Sequence, residues 1–101
     1  MEKAKTSEIK SRLGNFVKVR PIESPRSGKA VRNQYELVFE NGTAFQSHNT
    51  FIGAKIDGKL YLTASHVHST TTSKWCTEWC GYNSKERKKG LEDGKFVFLE
   101  D

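Results

Sequence analysis

The stretch Tyr35–Ser47 reads YELVFENGTAFQS and decides the fold class. Apolar and polar side chains alternate before Asn41-Gly42, and a second strand-like run follows that pair, which is the pattern of a β-hairpin with a tight turn. The pattern recurs in Phe51–Thr63, where Asp57-Gly58 separates two further runs. Two successive hairpins predict an antiparallel meander.

Further elements are expected on both sides of the meander. Asn15–Pro21 and Lys95–Leu99 also alternate, so each predicts a strand. Ser7–Leu13 predicts one or two helical turns. Asn83–Asp93 predicts a helix, because it begins with an asparagine followed three residues later by a glutamate, the capping-box pattern. The basic run Lys85–Lys89 of this helix is assigned to its solvent-facing side.

The remaining segments complete the predicted architecture. Ile22–Arg32 is expected to form a loop, because prolines precede and interrupt it. Ser65–Ser73 is expected to be irregular, and Ser73–Cys80 to form a helical turn or two. The sequence therefore predicts an α+β fold, with an antiparallel sheet or meander of five to six strands, one late helix and a short N-terminal helical turn. Residues 15–101 are expected to form the single domain, after a basic segment 1–14 that is partly frayed or a short helix.

The positive charge is concentrated in the first third of the chain. The 101 residues carry a net charge of +5, yet residues 1–32 carry +6, from nine Lys or Arg and three Glu, and residues 33–101 carry −1. Such asymmetry is typical of a surface that binds a polyanion, most often nucleic acid. A solvated N-terminal segment is the alternative explanation.

Length and composition exclude several classes of protein. No apolar run approaches the roughly 20 residues of a membrane-spanning helix, and no apolar signal core follows the basic N-terminus. The two cysteines are too few for a disulfide scaffold. We therefore expect a cytoplasmic protein without a cofactor and without a membrane partner.

A candidate interface for nucleic acid lies between Lys18 and Arg32. Lys18 and Arg20 project from one face of a predicted strand, and the following loop adds three cations, each able to displace condensed counterions from phosphate. Six residues are selected for binding nucleic acid or a partner: Lys18, Arg20, Arg26, Lys29, Arg32 and Gln46. Phe45 and Tyr61 are candidates for base stacking, although strand aromatics in a small sheet more often belong to the core.

Two histidine patterns suggest chemistry that the rest of the sequence does not support. Four residues of the types that bind zinc occur close together: His66, His68, Cys76 and Cys80. Their spacing is not an established zinc pattern, and the alternative is two buried thiols with two exposed histidines. His48-Asn49-Thr50 and His68-Ser69-Thr70 match the paired His-x-Thr motifs of phosphoesterases, which need a larger, duplicated fold. We therefore predict no metal site, no catalytic residues and no enzymatic activity.

Several short motifs lie in an informative order along the chain. They are Pro25-Arg26-Ser27-Gly28, Asn33-Gln34, Phe45-Gln46-Ser47, Thr70–Ser73, Lys74-Trp75, Gly81, Lys85-Glu86 and Gly94-Lys95-Phe96. Over Val19–Leu99 this order resembles a family of small proteins from bacteria, mobile elements and phages, a domain of unknown function. The resemblance implies a setting, the bacterial host cytosol during the life of a phage or mobile element, rather than an activity. Cys76 and Cys80 depart from the family pattern, which weighs further against zinc, whereas Trp75 and Trp79 match aromatic positions expected in the core.

Two functions remain open from the sequence. In the first, a small cytosolic accessory protein of a phage or mobile element binds DNA or RNA through its basic face. In the second, a phage-encoded inhibitor of a host defence system, similar to an anti-CRISPR protein or an antitoxin, docks on a host protein or ribonucleoprotein. An unpaired sheet edge would also allow a homodimer.

Overall fold

One seven-stranded sheet carries the chain in the computed structural model, which describes residues 1–101. The strands are β1 (Glu2–Lys5), β2 (Phe16–Glu23), β3 (Ala30–Phe39), β4 (Gly42–Ser47), β5 (Thr50–Ile56), β6 (Lys59–Thr63) and β7 (Val97–Glu100). The helices are α1 (Thr6–Leu13), α2 (Thr70–Cys80) and α3 (Ser84–Glu92), with a 3-10 turn at Ala64–Val67 before α2. The strands lie in the order β1-β7-β6-β5-β4-β3-β2. The α+β class predicted from the sequence is confirmed.

The central meander forms as predicted, but one of its two turns is shifted. Asp57 and Gly58 both have positive φ, 51° and 76°, as a type I′ turn requires. In the other hairpin Gly42 already pairs with Phe39, so the turn residues are Glu40 and Asn41. The backbone amides of Glu40 and Asn41 donate to the carbonyl oxygens of Asn15 and Leu13, so contacts with the end of α1 and the residues after it hold this turn.

The sheet has more strands than the predicted five to six, and it is not wholly antiparallel. Strand β7 lies between β6 and β1 and pairs parallel with both. The parallel pairing of β6 with β7 requires a crossover connection, which α2 and α3 supply. Strand β1 falls in the segment predicted to be frayed, and it is ordered by pairing with β7. Four mostly charged residues show no alternation that would predict a strand.

Two late helices are present where the sequence predicted one. Helix α2 begins at Thr70, within the run Ser65–Ser73, which was predicted to be irregular because it is rich in Ser, Thr and His. The hydroxyl of Ser69 caps it by accepting from the backbone N–H of Thr72 at 3.1 Å. Helix α3 begins with the predicted capping box of Asn83 and Glu86. None of the helices combines the length and the apolar character needed to cross a bilayer.

Helices cover the two faces of the sheet and define two cores. On the face that we call the α2 face, Trp75, Trp79 and Leu91 pack over side chains of the sheet, among them Phe45, Ile52, Leu60 and Leu62. On the face that we call the α1 face, Ile9 and Leu13 pack over Ala44, Ala54, Ile56, Tyr61, Val97 and Leu99. Each large apolar side chain buried in this way contributes about 1.5–3 kcal/mol.

Strand β2 forms one edge of the sheet and is almost entirely exposed. Only Ile22 among its residues is partly buried. The strand continues through Pro21 to Glu23, where the sequence predicted a loop. An edge strand accommodates this proline, because its missing N–H removes no hydrogen bond from the interior of the sheet.

Candidate nucleic-acid interface

Strands β2 and β3 form a hairpin whose tip extends beyond the rest of the sheet. Strand β4 pairs with β3 only from Gln34 to Phe39, so Ala30–Asn33 has a single neighbouring strand. At the tip, the amide of Gly28 donates to the carbonyl of Ser24 at 2.8 Å, and Gly28 has a φ of 68° that favours glycine. The end of this hairpin is therefore a two-stranded ribbon, with Pro25–Ala30 exposed. Ile22 and Val31 hold one side of the ribbon against the core of the α2 face.

The structure brings the five predicted cations onto this hairpin but separates them between its faces and its tip. Lys18 and Arg20 lie opposite Val38 and Glu36, on the α2 face. Arg26 and Lys29 lie in the exposed turn. Val31 packs against the core of the α2 face, so the next residue, Arg32, points to the α1 face because strand side chains alternate.

The sixth predicted residue, Gln46, lies away from Lys18 and Arg20. It pairs with Tyr35 and Phe51 and lines a hollow of about 300 Å³ on the α1 face. Its side-chain amide donates to the backbone carbonyl of His48 at 2.8 Å. Gln46 therefore shares a face with Arg32 and not with the strand cations.

Arg20 is engaged in a structural contact. Its guanidinium lies 2.6 Å from one carboxylate oxygen of Glu36, whose second oxygen accepts from the indole N–H of Trp79 at 3.0 Å. This chain of contacts connects the hairpin to α2 and neutralises the charge of Arg20. The other four cations of the hairpin have no carboxylate within 4.0 Å: Lys18, Arg26, Lys29 and Arg32.

The aromatic residues proposed for base stacking belong to the core instead. Phe45 is completely buried and Tyr61 is 6% exposed. Phe16, at the start of β2, is 56% exposed and packs edge-to-face on Phe39 with ring centroids 5.6 Å apart. Sequence reasoning missed Phe16, although it stands directly before the predicted alternation around Val17.

Arg87 is the largest fully buried side chain, although it lies in a run that was assigned to the solvent-facing side of α3. Its Nε donates to Nδ1 of His66 at 2.9 Å. Its two terminal nitrogens donate to the hydroxyls of Thr77 and Ser73, each at 2.8 Å, and to the carbonyl of Tyr82. Gly90 and Leu91, three and four residues later, are also buried, and this spacing was the signal that could have placed Arg87 inside.

The four residues considered as zinc ligands do not converge on one site. His66 is buried and His68 is exposed, whereas both were expected to be exposed. The Nδ1 of His66 already accepts from Arg87. Burial, together with the charges of Arg87 and Lys88, lowers the pKa of His66 to about 4. The structure contains no group of three or more His, Cys, Asp or Glu that could hold a metal ion.

The two cysteines form a thiol pair at the end of α2. The hydrogen bond from Cys76 lowers the pKa of Cys80 to about 6, against the opposing effect of burial, and raises that of Cys76. Both thiols are free, and Cys80 lines a cavity of about 590 Å³. That cavity is also lined by three lysines: Lys55, Lys59 and Lys95.

The two His-x-Thr motifs meet at a small cleft of about 310 Å³. His48 comes from the β4–β5 turn, where its φ is 54°, and His68 comes from the segment before α2. The cleft is otherwise lined by hydroxyl-bearing side chains and one isoleucine: Ser47, Thr50, Ile52, Ser65 and Thr72. No carboxylate lines the cleft.

Comparison with known protein families matches residues 17–95 to DUF8033, a family of unknown function. The chain belongs to this family. The resemblance predicted from the sequence motifs is thereby confirmed. The DUF8033 match includes most of the β2–β3 hairpin as well as α2 and α3, and it leaves out β1 and α1. No curated protein and no solved structure matches the chain.

Proposed function

We propose that this DUF8033 protein binds nucleic acid through the β2–β3 hairpin. The observation that carries the proposal is that four of the five cations on this hairpin lack a carboxylate partner. Surface cations of globular domains are usually interspersed with acids. A group of unpaired cations on one exposed ribbon is therefore an electrostatic surface for a polyanion.

The shape of the hairpin supports the same proposal. A two-stranded ribbon fits the major groove of a B-form duplex, and cations along it reach phosphates on either side. Phe16 provides an exposed ring at the base of the hairpin, where a base of a single strand can stack. Arg20 acts as a positioning residue, because it pairs with Glu36, and the second oxygen of Glu36 accepts from Trp79 of α2.

We further propose a cytosolic setting, in a bacterial cell that carries a phage or mobile element. Cys76 and Cys80 lie one helical turn apart with reduced thiols. Unpaired thiols are usual in a reducing compartment. Nucleic acid is abundant in that compartment.

The test compares two variants that lose the same charge. In the hairpin variant, four unpaired cations are changed to Ala: Lys18, Arg26, Lys29 and Arg32. In the control variant, four exposed lysines elsewhere are changed to Ala: Lys3, Lys5, Lys85 and Lys89. Binding to fluorescent oligonucleotide pools, single-stranded and double-stranded, is measured by anisotropy between 50 and 200 mM salt.

The hairpin variant is expected to bind much more weakly. For single strands, the slope of its plot of log affinity against log salt is expected to be shallower by about 3, because each of the four lost phosphate contacts contributes about 0.7 to the slope. The control variant is expected to keep most of the affinity and the slope. Equal losses in the two variants would show that net charge alone drives binding. Unchanged binding of the hairpin variant would refute the proposal.

A second candidate is the inhibitor that docks on a host protein, and the apolar side chains of β2 favour it. Phe16, Val17 and Val19 are each more than half exposed on a strand with a free edge. Such an edge can pair with a strand of another protein. A partner retained from bacterial lysate after nuclease treatment, and lost with Val19→Lys, would support this candidate. Loss of all partners after nuclease treatment would support nucleic-acid binding.

A further inference from the structure

The guanidinium of Arg87 is a buried charge without a counter-charge. The residue is 0% exposed, and all its hydrogen-bond acceptors are neutral: an imidazole, two hydroxyls and backbone carbonyls. No carboxylate lies within 4.0 Å of it. A buried charge is costly unless an opposite charge lies close by. Arg87 therefore places an uncompensated positive charge inside the protein, next to α2.

A groove of about 460 Å³ between α2 and α3 lies beside this charge. Ser73 and Thr77 line the groove, and the hydroxyls of both accept from Arg87. The remaining lining residues are Val67, Ser69, Thr70, Lys74, Asn83, Ser84 and Lys88. The groove thus has two lysines and six polar uncharged side chains, and no acid lines it.

The donors of the groove are available to a ligand. The hydroxyls of Thr70 and Ser84 make no hydrogen bond within the protein, and that of Ser73 accepts from Arg87 while its own proton stays free. Lys74 lies over the ring of Trp75, 4.7 Å from its centroid, and Lys88 has no ion pair. Two carboxylates are near the groove along the chain, and neither lines it. Glu78 directly follows Thr77, and Glu86 accepts from the backbone amide of Asn83 in the capping box.

We propose that this groove binds a phosphate group. Lysine ammonium groups and serine and threonine hydroxyls are donors suited to the oxygens of a phosphate, and the buried guanidinium supplies the electrostatic attraction. The first turns of α2 and α3 border the groove, and their unpaired amides favour an anion as well. The inference does not rest on the proposed function, because the groove shares no residue with the β2–β3 hairpin.

The phosphate has two possible sources with the same chemistry, a free small phosphate or the phosphate of a nucleic acid. Inorganic phosphate serves as the first probe, in NMR titrations of ¹⁵N-labelled protein at constant ionic strength. A thymidine dinucleotide with and without a 5′-phosphate serves as the second. We expect saturable shifts of the amides in Ser69–Lys74 and Asn83–Lys88 with inorganic phosphate. A response to the unphosphorylated dinucleotide, whose one phosphate is a backbone diester, assigns the nucleic-acid source. A response confined to inorganic phosphate and the 5′-phosphorylated form assigns a small phosphate or phosphomonoester.

Two double variants test the assignment without touching Arg87. Lys74→Met with Lys88→Met is expected to weaken phosphate binding at least tenfold. The control double variant, Lys85→Met with Lys89→Met, removes the same amount of charge from α3 at positions that do not line the groove. It is expected to bind phosphate as the wild type does. Equal affinity of the two double variants, or equal shifts with chloride at matched ionic strength, would overturn the proposal. The hairpin variant is expected to keep phosphate binding, which separates this result from the test of the proposed function.

Discussion

Lowering the pH is predicted to destabilise the protein through His66. The imidazole is buried, and its Nδ1 accepts from Nε of Arg87 at 2.9 Å. Protonation of Nδ1 would remove this acceptor and place a second positive charge against the guanidinium. The folded protein therefore holds His66 neutral, with a pKa of about 4 compared with 6.5 in an unfolded chain.

The direction and size of the effect follow from these two pKa values. Well above pH 6.5 the imidazole is neutral in both states, and it contributes no pH dependence. Between pH 6.5 and about 4 the unfolded chain takes up a proton that the folded protein refuses, so the free energy of unfolding falls. The loss relative to pH 7 amounts to about 2 kcal/mol at pH 5 and about 3 kcal/mol at pH 4. Such a loss is a large part of the stability of a small domain.

The assay is urea denaturation followed by the fluorescence of Trp75 and Trp79 between pH 7 and pH 4, with His66→Asn as the matched control. The Asn side chain can still accept from Arg87 through its amide oxygen, but it does not titrate. Both proteins share the titration of their carboxyl groups, so the difference between the two curves isolates His66. We expect the wild type to lose about 3 kcal/mol more than the variant by pH 4. Parallel curves would refute the reasoning.

Three further predictions concern α2 and α3. Gly90→Ala is expected to lower the stability by about 1–3 kcal/mol although Ala favours helices, because a Cβ at this position runs into the ring of Phe96; a higher Tm would contradict this. Asn83→Ala removes the capping box and is expected to lower the free energy of unfolding by about 1 kcal/mol, measured by urea denaturation. An unchanged denaturation midpoint would contradict this. Iodoacetamide is expected to label Cys80 with a midpoint near pH 6 while Cys76 stays unlabelled, as read by mass spectrometry; a midpoint at the ordinary thiol pKa of about 8.5 would contradict this.

The local pattern of the sequence predicted most of the meander but not how the sheet is completed. Alternation and turn residues act between neighbours, so they identify β3 to β6 and the Asp57-Gly58 turn. The parallel pairings of β7 depend on a crossover and on a strand from the other end of the chain, and no local pattern encodes them. The first turn of the meander lies at Glu40-Asn41 and not at the predicted Asn41-Gly42, and this shift also depends on a contact with a distant part of the chain. A Cβ on this glycine would collide with the carbonyl of Lys55, so the glycine is required within β4 rather than in the turn.

The candidate site was predictable where charge alone defines it. The excess of Lys and Arg before position 33 indicated the segment that forms β2, the turn and the start of β3, and Arg26 and Lys29 lie in the turn of this hairpin. Charge count did not show that Arg20 pairs with Glu36 or that Arg87 is buried, because both depend on which residues pack against them. Whether the four unpaired cations bind nucleic acid stays a prediction.

The most direct test of the central proposal is to map oligonucleotide binding on the ¹⁵N-labelled protein by NMR at 50 mM salt. The account predicts that amide shifts concentrate in Lys18–Asn33 and in Phe16, that they diminish on raising the salt to 200 mM, and that the hairpin variant loses them. Shifts confined to β1 and α1, or no shifts at low salt, would contradict the account.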